Sequence, residues 1–224
     1  MKIYFSCSLA GLALLATDLH AGGGLASLGV PANMDFYAGV GGGRTKHSGA
    51  CKKVNYDQNC DDNNSGYTAY AGTRLEPAIH RDIRVRGNGL TTLGAEAGYI
   101  DFGESKAEGK TNDLRGTTKA RSKVSGAYLA AVGYIPVVDN IELTGKVGVG
   151  YWEQKGKLEI NDNPALTQTT SKQSAGVLIG SGLQYKVNKK LALRSEYQHV
   201  FANGHDNGYK SDNGIYSIGA VFNF

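Results

Sequence analysis

The sequence predicts an all-β fold: an eight-stranded, antiparallel, up-and-down transmembrane β-barrel. Composition is the first observation, with 32 Gly and 13 Tyr against 2 Met, 1 Trp and 4 Pro in 224 residues. Aperiodic glycine at this level disfavours helices, where each Gly costs about 1 kcal/mol relative to Ala, while Tyr, Val, Ile and Thr favour strands. The second is period-two patterning in runs of about ten residues, which places alternate side chains on opposite sheet faces. The third is an alternation of short and long polar links between the runs, the habit of barrels with tight turns at one end. Mean hydropathy is −0.31. The part beyond residue 21 has no apolar stretch approaching the roughly 20 residues of a spanning helix, so a membrane would be crossed by strands.

The N-terminus follows a different logic. Met1 and Lys2 give a positive start, Ile3 to Ala16 form an apolar run, and Leu19-His20-Ala21 offers a cleavage site before Gly22. This is the layout of a secretory signal peptide, although Leu19 is larger than the usual small residue. Residues 1–21 are read as the signal, 22–34 as a flexible periplasmic lead-in and 35–224 as the barrel, a single domain. Cys7 sits too early for lipoprotein acylation. Its loss leaves Cys51 and Cys60, which in an exported chain read as a disulfide closing a short polar loop. A metal pair is less well supported, because no CxxC spacing or neighbouring His pair accompanies them. The leader removes Lys2 and Asp18, so the net charge stays at +4. No basic stripe interleaved with aromatics points to nucleic acid. The glycine string at 39–43 lacks the Lys-Ser/Thr ending of a nucleotide loop, and no cofactor is implied.

Eight runs follow in order. The first is Asp35–Lys46. The second, Ser65–Glu76, puts Tyr67, Ala69, Ala71, Thr73 and Leu75 on one face. The third, Leu90–Gly103, sets Leu93, Ala95, Ala97 and Tyr99 outward with Glu96 opposite. The fourth, Lys123–Ile135, groups Val124, Tyr128, Ala130, Val132 and Tyr134. The fifth, Ile141–Lys155, alternates Ile141, Leu143, Val147, Val149 and Tyr151 against Glu142, Thr144 and Lys146. The sixth, Gln173–Val187, shows Val177, Ile179, Leu183 and Tyr185 against Gly176, Gly180, Gly182 and Gln184. The seventh, Leu191–Ala202, separates Leu191, Leu193, Tyr197 and Phe201 from Arg194, Glu196 and Gln198. The eighth, Ile215–Phe224, aligns Tyr216, Ile218, Ala220, Phe222 and Phe224. Tight turns are expected at 136–140 and 188–190. The connection at 77–89 departs from this pattern by being long on the periplasmic side.

A soluble β-sandwich would also alternate, but it needs apolar inner faces. Here the faces opposite the apolar ones carry Gly and charges, which a narrow barrel lumen accepts. Phe36, Tyr67, Tyr99, Tyr134, Tyr151, Tyr185, Tyr197, Tyr216 and Phe224 edge the apolar face like interfacial girdles.

The segments 95–104 (AEAGYIDFGE), 146–152 (KVGVGYW), 180–200 (GSGLQYKVNKKLALRSEYQHV) and 215–224 (IYSIGAVFNF) resemble the OmpA-like transmembrane domain and related surface antigens. The resemblance covers most of residues 35–224. It implies a bacterial outer-membrane barrel with a periplasmic N-terminus and long extracellular loops. It specifies function poorly, since such barrels serve as adhesins, pores and lipid-modifying enzymes. Full OmpA-type proteins continue into a peptidoglycan-binding domain. This sequence reaches its last residue at the final strand, so cell-wall anchoring is not expected of it.

The candidate sites follow from this frame. Glu96, Glu142, Lys146, Arg194 and Glu196, with Arg74, point away from the lipid face and must pair, because an unpaired buried charge is costly. In barrels of this family such pairs plug or gate a narrow channel, and Glu96, Lys146, Arg194 and Glu196 hold similar positions. His199 is followed by Val200-Phe201 and lacks the Ser of the lipid A deacylase motif, so no catalytic site is assigned. The loop from Glu104 to Lys123 carries Lys106, Lys110, Arg115, Lys119, Arg121 and Lys123, a basic surplus suited to lipopolysaccharide phosphates. The loop pinned by Cys51 and Cys60 is a second contact surface for host or phage. Tyr216, Ile218, Phe222 and Phe224 resemble the C-terminal signal read by the β-barrel assembly machinery.

The expected function is a monomeric, non-enzymatic surface barrel that supports envelope integrity and displays loops to lipopolysaccharide or an external protein. A narrow gated pore is the alternative reading, and a lipid A-modifying enzyme the minor one.

Overall fold

The computed structural model describes residues 34–48, 59–61, 63–75, 92–111, 116–160, 167–203 and 210–224. Its strands are β1 (Met34–Ser48), β2 (Asn59–Asp61), β3 (Asn63–Leu75), β4 (Thr92–Thr111), β5 (Gly116–Val138), β6 (Ile141–Ile160), β7 (Gln168–Lys186), β8 (Leu191–Asn203) and β9 (Lys210–Asn223). The eight long strands form a closed antiparallel ring in the order β4-β3-β1-β9-β8-β7-β6-β5, with β5 returning to β4. The three-residue β2 is additional: it lies along the upper end of β4, with Cys60 opposite Ala107. Closure rests on β1 and β9, paired from Tyr37 opposite Asn223 to Ser48 opposite Asp212. Phe224 N–H extends that seam by donating to Phe36 O at 2.9 Å. A closed ring leaves no unpaired edge in hydrocarbon, where a free backbone group would go unsatisfied.

Two tight turns lie at one end. Asp139-Asn140 joins β5 to β6, narrower than the 136–140 link expected, because Pro136 to Val138 remain in β5 despite a register irregularity there. Val187–Lys190 joins β7 to β8, where Asn188 Oδ1 accepts from Lys190 N at 2.8 Å and Leu191 N at 2.9 Å. An Asn side chain that captures following amides fixes such a turn. Residues 1–33, the 77–89 connection and Cys51 lie outside the described residues, as does the side chain of Cys60.

The outward face carries exposed apolar side chains, among them Val40, Leu93, Leu129, Val147, Val149, Val177, Leu193 and Ile218. β5 corrects the sequence reading. Val124, Tyr128, Ala130, Val132 and Tyr134 all point into the lumen and are buried, so Tyr134 belongs to no girdle. Both faces of this strand are apolar, and hydropathy alternation then carries no sign of which one meets lipid.

The strands are also longer than the apolar runs. β4 to β7 continue past the membrane-facing band, and much of the loop expected at 104–123 is paired sheet, from Glu104 opposite Lys123 to Thr111 opposite Gly116. A bulge between Asp101 and Glu104 starts this extension. Gly103 there has φ 77°, a left-handed conformation open mainly to glycine, and its N–H donates to Asp101 Oδ1 at 2.8 Å. β7 pairs with β6 up to Gln168, whereas its pairing with β8 stops at Gly176 opposite Ala202. Residues 168–175 therefore have strand pairing on one side only, among the described residues.

Inward glycines make room for rings. A Cβ on Gly39 would lie 2.5 Å from the Tyr70 ring, one on Gly72 2.4 Å from Tyr37, and one on Gly98 2.6 Å from Tyr128. At these positions glycine accommodates a large side chain laid flat across a neighbouring strand in a narrow interior.

Candidate functional site

The lumen is filled in three tiers. At the end with the tight turns, Glu142 accepts from Arg74 Nη1 and Nη2 at 3.2 and 2.8 Å, and Lys186 Nζ lies 2.6 Å away. The Arg74 guanidinium also stacks over Tyr134, 3.9 Å from the ring centroid. This forked pairing suits arginine, whose planar donors match both carboxylate oxygens.

The middle tier centres on Glu96. Its Oε1 accepts from Tyr128 OH at 2.7 Å and Lys146 Nζ at 2.5 Å, and its Oε2 from Tyr37 OH at 2.9 Å and Arg194 Nη1 at 2.8 Å. Lys146 Nζ is shared with Glu196, 2.9 and 3.0 Å from its two oxygens, and Gln198 Nε2 donates to Glu196 at 2.9 Å. Arg194 Nε donates to Gln184 Oε1 at 2.9 Å, and Tyr134 OH to Tyr37 OH at 2.8 Å. Arg194 also lies 4.9 Å from the centroid of Tyr70. Two acids and two bases thus neutralise one another inside a cage of tyrosines, an arrangement that answers the desolvation cost of each charge.

The third tier, toward the extended end, is apolar. Ile100, Phe102, Val124, Trp152, Leu178, Val200 and Ile215 are buried in one cluster, with the Phe102 and Trp152 rings 5.9 Å apart. Sequence reasoning did not foresee this plug, although its members share parity with the lumen charges of their own strands. Ile100 and Phe102 follow Glu96 by even steps, and Trp152 follows Lys146. The tyrosines of the middle tier escape the same reasoning, because an inward ring and a girdle ring look alike in hydropathy.

The remaining candidates lie outside the lumen. His199 is on the outward face of β8, with its Nδ1 3.1 Å from Tyr197 OH and its ring 4.4 Å from that of Phe201. Tyr197 in turn stacks on Tyr216 at 4.3 Å. No group of three or more His, Cys, Asp or Glu able to hold a metal occurs among the described residues. Of the basic set, Lys106, Lys110 and Lys119 lie on paired strand rather than loop, as do Arg121 and Lys123, and Arg115 is outside the described residues. Arg121 is 3.7 Å from Glu104, and Lys123 is 2.9 Å from Asp101. The hydrogen bond to Asp101 raises the Lys123 ammonium above its ordinary value, and the one from Lys157 lowers the Glu159 carboxyl. Tyr216, Ile218, Phe222 and Phe224 form an exposed outward row at the closing seam.

A sequence profile of the OmpA-like transmembrane domain matches residues 31–224. The chain belongs to this family. Among its relatives is outer membrane protein P5 of Haemophilus influenzae, 29% identical over 171 residues, which cover 75% of this chain and 45% of P5. The chain thus spans about half the length of that relative. The 31 kDa outer-membrane immunogenic protein of Brucella melitensis is 25% identical over 168 residues, 73% of this chain and 67% of the relative. Among solved structures, a major outer membrane protein from Thermus thermophilus superposes with a TM-score of 0.50 at 14% identity, covering 85% of this chain and 99% of that one. That likeness concerns the fold. The OmpA-like domain is a bacterial outer-membrane barrel of the structural, surface-exposed kind.

Proposed function

We propose that this OmpA-like barrel is a sealed, non-enzymatic anchor that carries its extended strands and loops into the outer saccharide layer. One observation supports the reading above others: the lumen is filled along its length, by the Glu96 network and then by the plug around Trp152 and Phe102. In an interior as narrow as eight strands enclose, tyrosine rings and ion pairs leave little for solute to follow. The experiment is planar-bilayer recording of the purified protein. Absence of steady unitary conductance is expected. Steady conductance that is lost in Arg194→Gln or Glu196→Gln would establish the gated pore instead.

In this reading Lys106, Lys110, Arg115, Lys119, Arg121 and Lys123 face lipopolysaccharide, and the Cys51–Cys60 loop meets an external protein. Support for the first is the basic surplus on an extension that rises directly from the apolar band. A disulfide between Cys51 and Cys60 predicts no free thiol in the exported protein, which alkylation and mass measurement would check. The outward aromatic row ending at Phe224 is proposed as the surface read by the assembly machinery. No chemistry on lipid A is assigned, and lipid A mass spectra should be the same with and without the gene.

A further inference from the structure

On the lipid-facing side, the last apolar row runs through Tyr99 on β4, Ala127 on β5 and Tyr151 on β6. The strands then continue in register. The next row holds Tyr67, Asp101, Ser125 and Glu153, and its two carboxylates are engaged from the row above by Lys123 and Lys155. After the bulge come two basic rows. Glu104, Lys123 and Lys155 stand side by side, and above them Lys106, Arg121 and Lys157. Like charges directly opposite one another destabilise a sheet, so a row of three cations is not what the fold by itself favours.

Their existing partners are weak competitors. Lys123 is held by Asp101 at 2.9 Å, Lys155 by Glu153 at 3.1 Å and Lys157 by Glu159 at 2.5 Å, while Arg121 and Glu104 are 3.7 Å apart. Opposite Lys106, on the side away from Arg121, stands Asp61 of β2 in backbone register. The side chains of Arg121, Lys123, Lys155 and Lys157 are 46% to 60% exposed. Apart from that of Lys123, whose partner Asp101 is buried, these are exposed pairs, which contribute little and yield to a stronger anion.

Height decides which anion. Lys155 and Lys157 are four and six residues beyond Tyr151 on β6, which for a tilted strand is roughly 10 to 16 Å above the girdle. A phospholipid phosphate would sit near the girdle itself, opposite Asp101 and Glu153. We propose that Lys106, Arg121, Lys123, Lys155 and Lys157 bind phosphate groups carried on the core sugars of lipopolysaccharide, with Arg121 as the central fork. The inference rests on the reading that the extension stands in the saccharide layer, and it adds Lys155 and Lys157 from β6 to the contact surface. A phosphate monoester offers several charged oxygens, which guanidinium and ammonium groups engage by charge-assisted hydrogen bonds.

The test uses the full chain in detergent and four probes: lipopolysaccharide with phosphorylated core sugars, the same glycolipid lacking core phosphates, lipid A, and phosphatidylglycerol vesicles. The core-phosphorylated form should bind on the order of tenfold tighter than the form without core phosphates. That gap should close in the double variant Arg121→Gln/Lys157→Gln. Equal binding of both core forms by the unaltered chain overturns the proposal, and so does binding of lipid A and phosphatidylglycerol as tight as that of the core-phosphorylated form. Both comparisons use the unaltered protein, so a variant that folds poorly cannot obscure them. A heat-modifiable gel shift and outer-membrane fractionation report separately on the barrel. Failure there would remove the parent reading, whereas a folded barrel indifferent to core phosphate removes this inference alone.

Discussion

Arg194 and Glu96 are 98 positions apart in the chain, and Arg194 Nη1 donates to Glu96 Oε2 at 2.8 Å in the middle of the lumen. The pair joins β8 to β4 across the interior, with Lys146 of β6 on the other carboxylate oxygen. Glu96→Gln would leave two buried cations short of one negative charge. A loss of about 3–5 kcal/mol is expected. Denaturant unfolding in detergent measures it, and adding Lys146→Met to the variant should recover part of the loss. A cost below about 1 kcal/mol would mean that the network is not desolvated as described.

Trp152 supplies an independent check on the plug. It is the single Trp of the chain, and at 2% exposure it faces the lumen. Its emission should be blue-shifted and resistant both to acrylamide and to brominated acyl chains. Strong quenching by brominated lipid would place the indole on the outer face and undo the three-tier interior.

The outward face should respond to charge according to depth. Val147 is 58% exposed and lies within the apolar band, while Tyr151 marks its edge. Val147→Arg is expected to cost about 2–4 kcal/mol of folding free energy in lipid, and Tyr151→Arg about 1 kcal/mol or less. Reversed magnitudes would show that the band is centred elsewhere.

Gly103 is a backbone requirement. A Cβ there would lie 2.4 Å from Ser65 O, at a φ of 77°. Gly103→Val should cost about 1–3 kcal/mol. Chemical unfolding in detergent reads the effect, and an unchanged midpoint would argue against the bulge.

Phe224 extends the β1–β9 seam through its N–H to Phe36 O. Removing Phe224 should lower the fraction of chain that reaches the heat-modifiable form in cells. Assembly at the normal level after this deletion would count against a role for Phe224.

Much of the barrel is legible because most strands encode their faces by alternation. Glu96, Lys146, Arg194 and Glu196 stand out from apolar neighbours at every second position, and these are the residues that meet in the lumen. β5 was illegible in the same terms, since Leu129 outside and Tyr128, Val132 and Tyr134 inside are all apolar. Hydropathy separates water from oil, and a plugged lumen is also oil. The extensions of β4 to β7 read as loops in the sequence because their pairing is a property of the backbone, which polar side chains such as Lys106, Lys119 and Lys157 do not betray. The bulge at Gly103 shifts which residues face outward above it, and one glycine in a glycine-rich chain announces nothing.

The one-sided pairing of β7 leaves a kinetic imprint. Over residues 168–175, successive amides point alternately toward β6, which pairs them, and toward the side on which no described strand pairs them. Deuterium uptake resolved by residue should therefore alternate fast and slow along this segment. Below Gly176, where β8 takes up the second side, the alternation should fade into uniform protection.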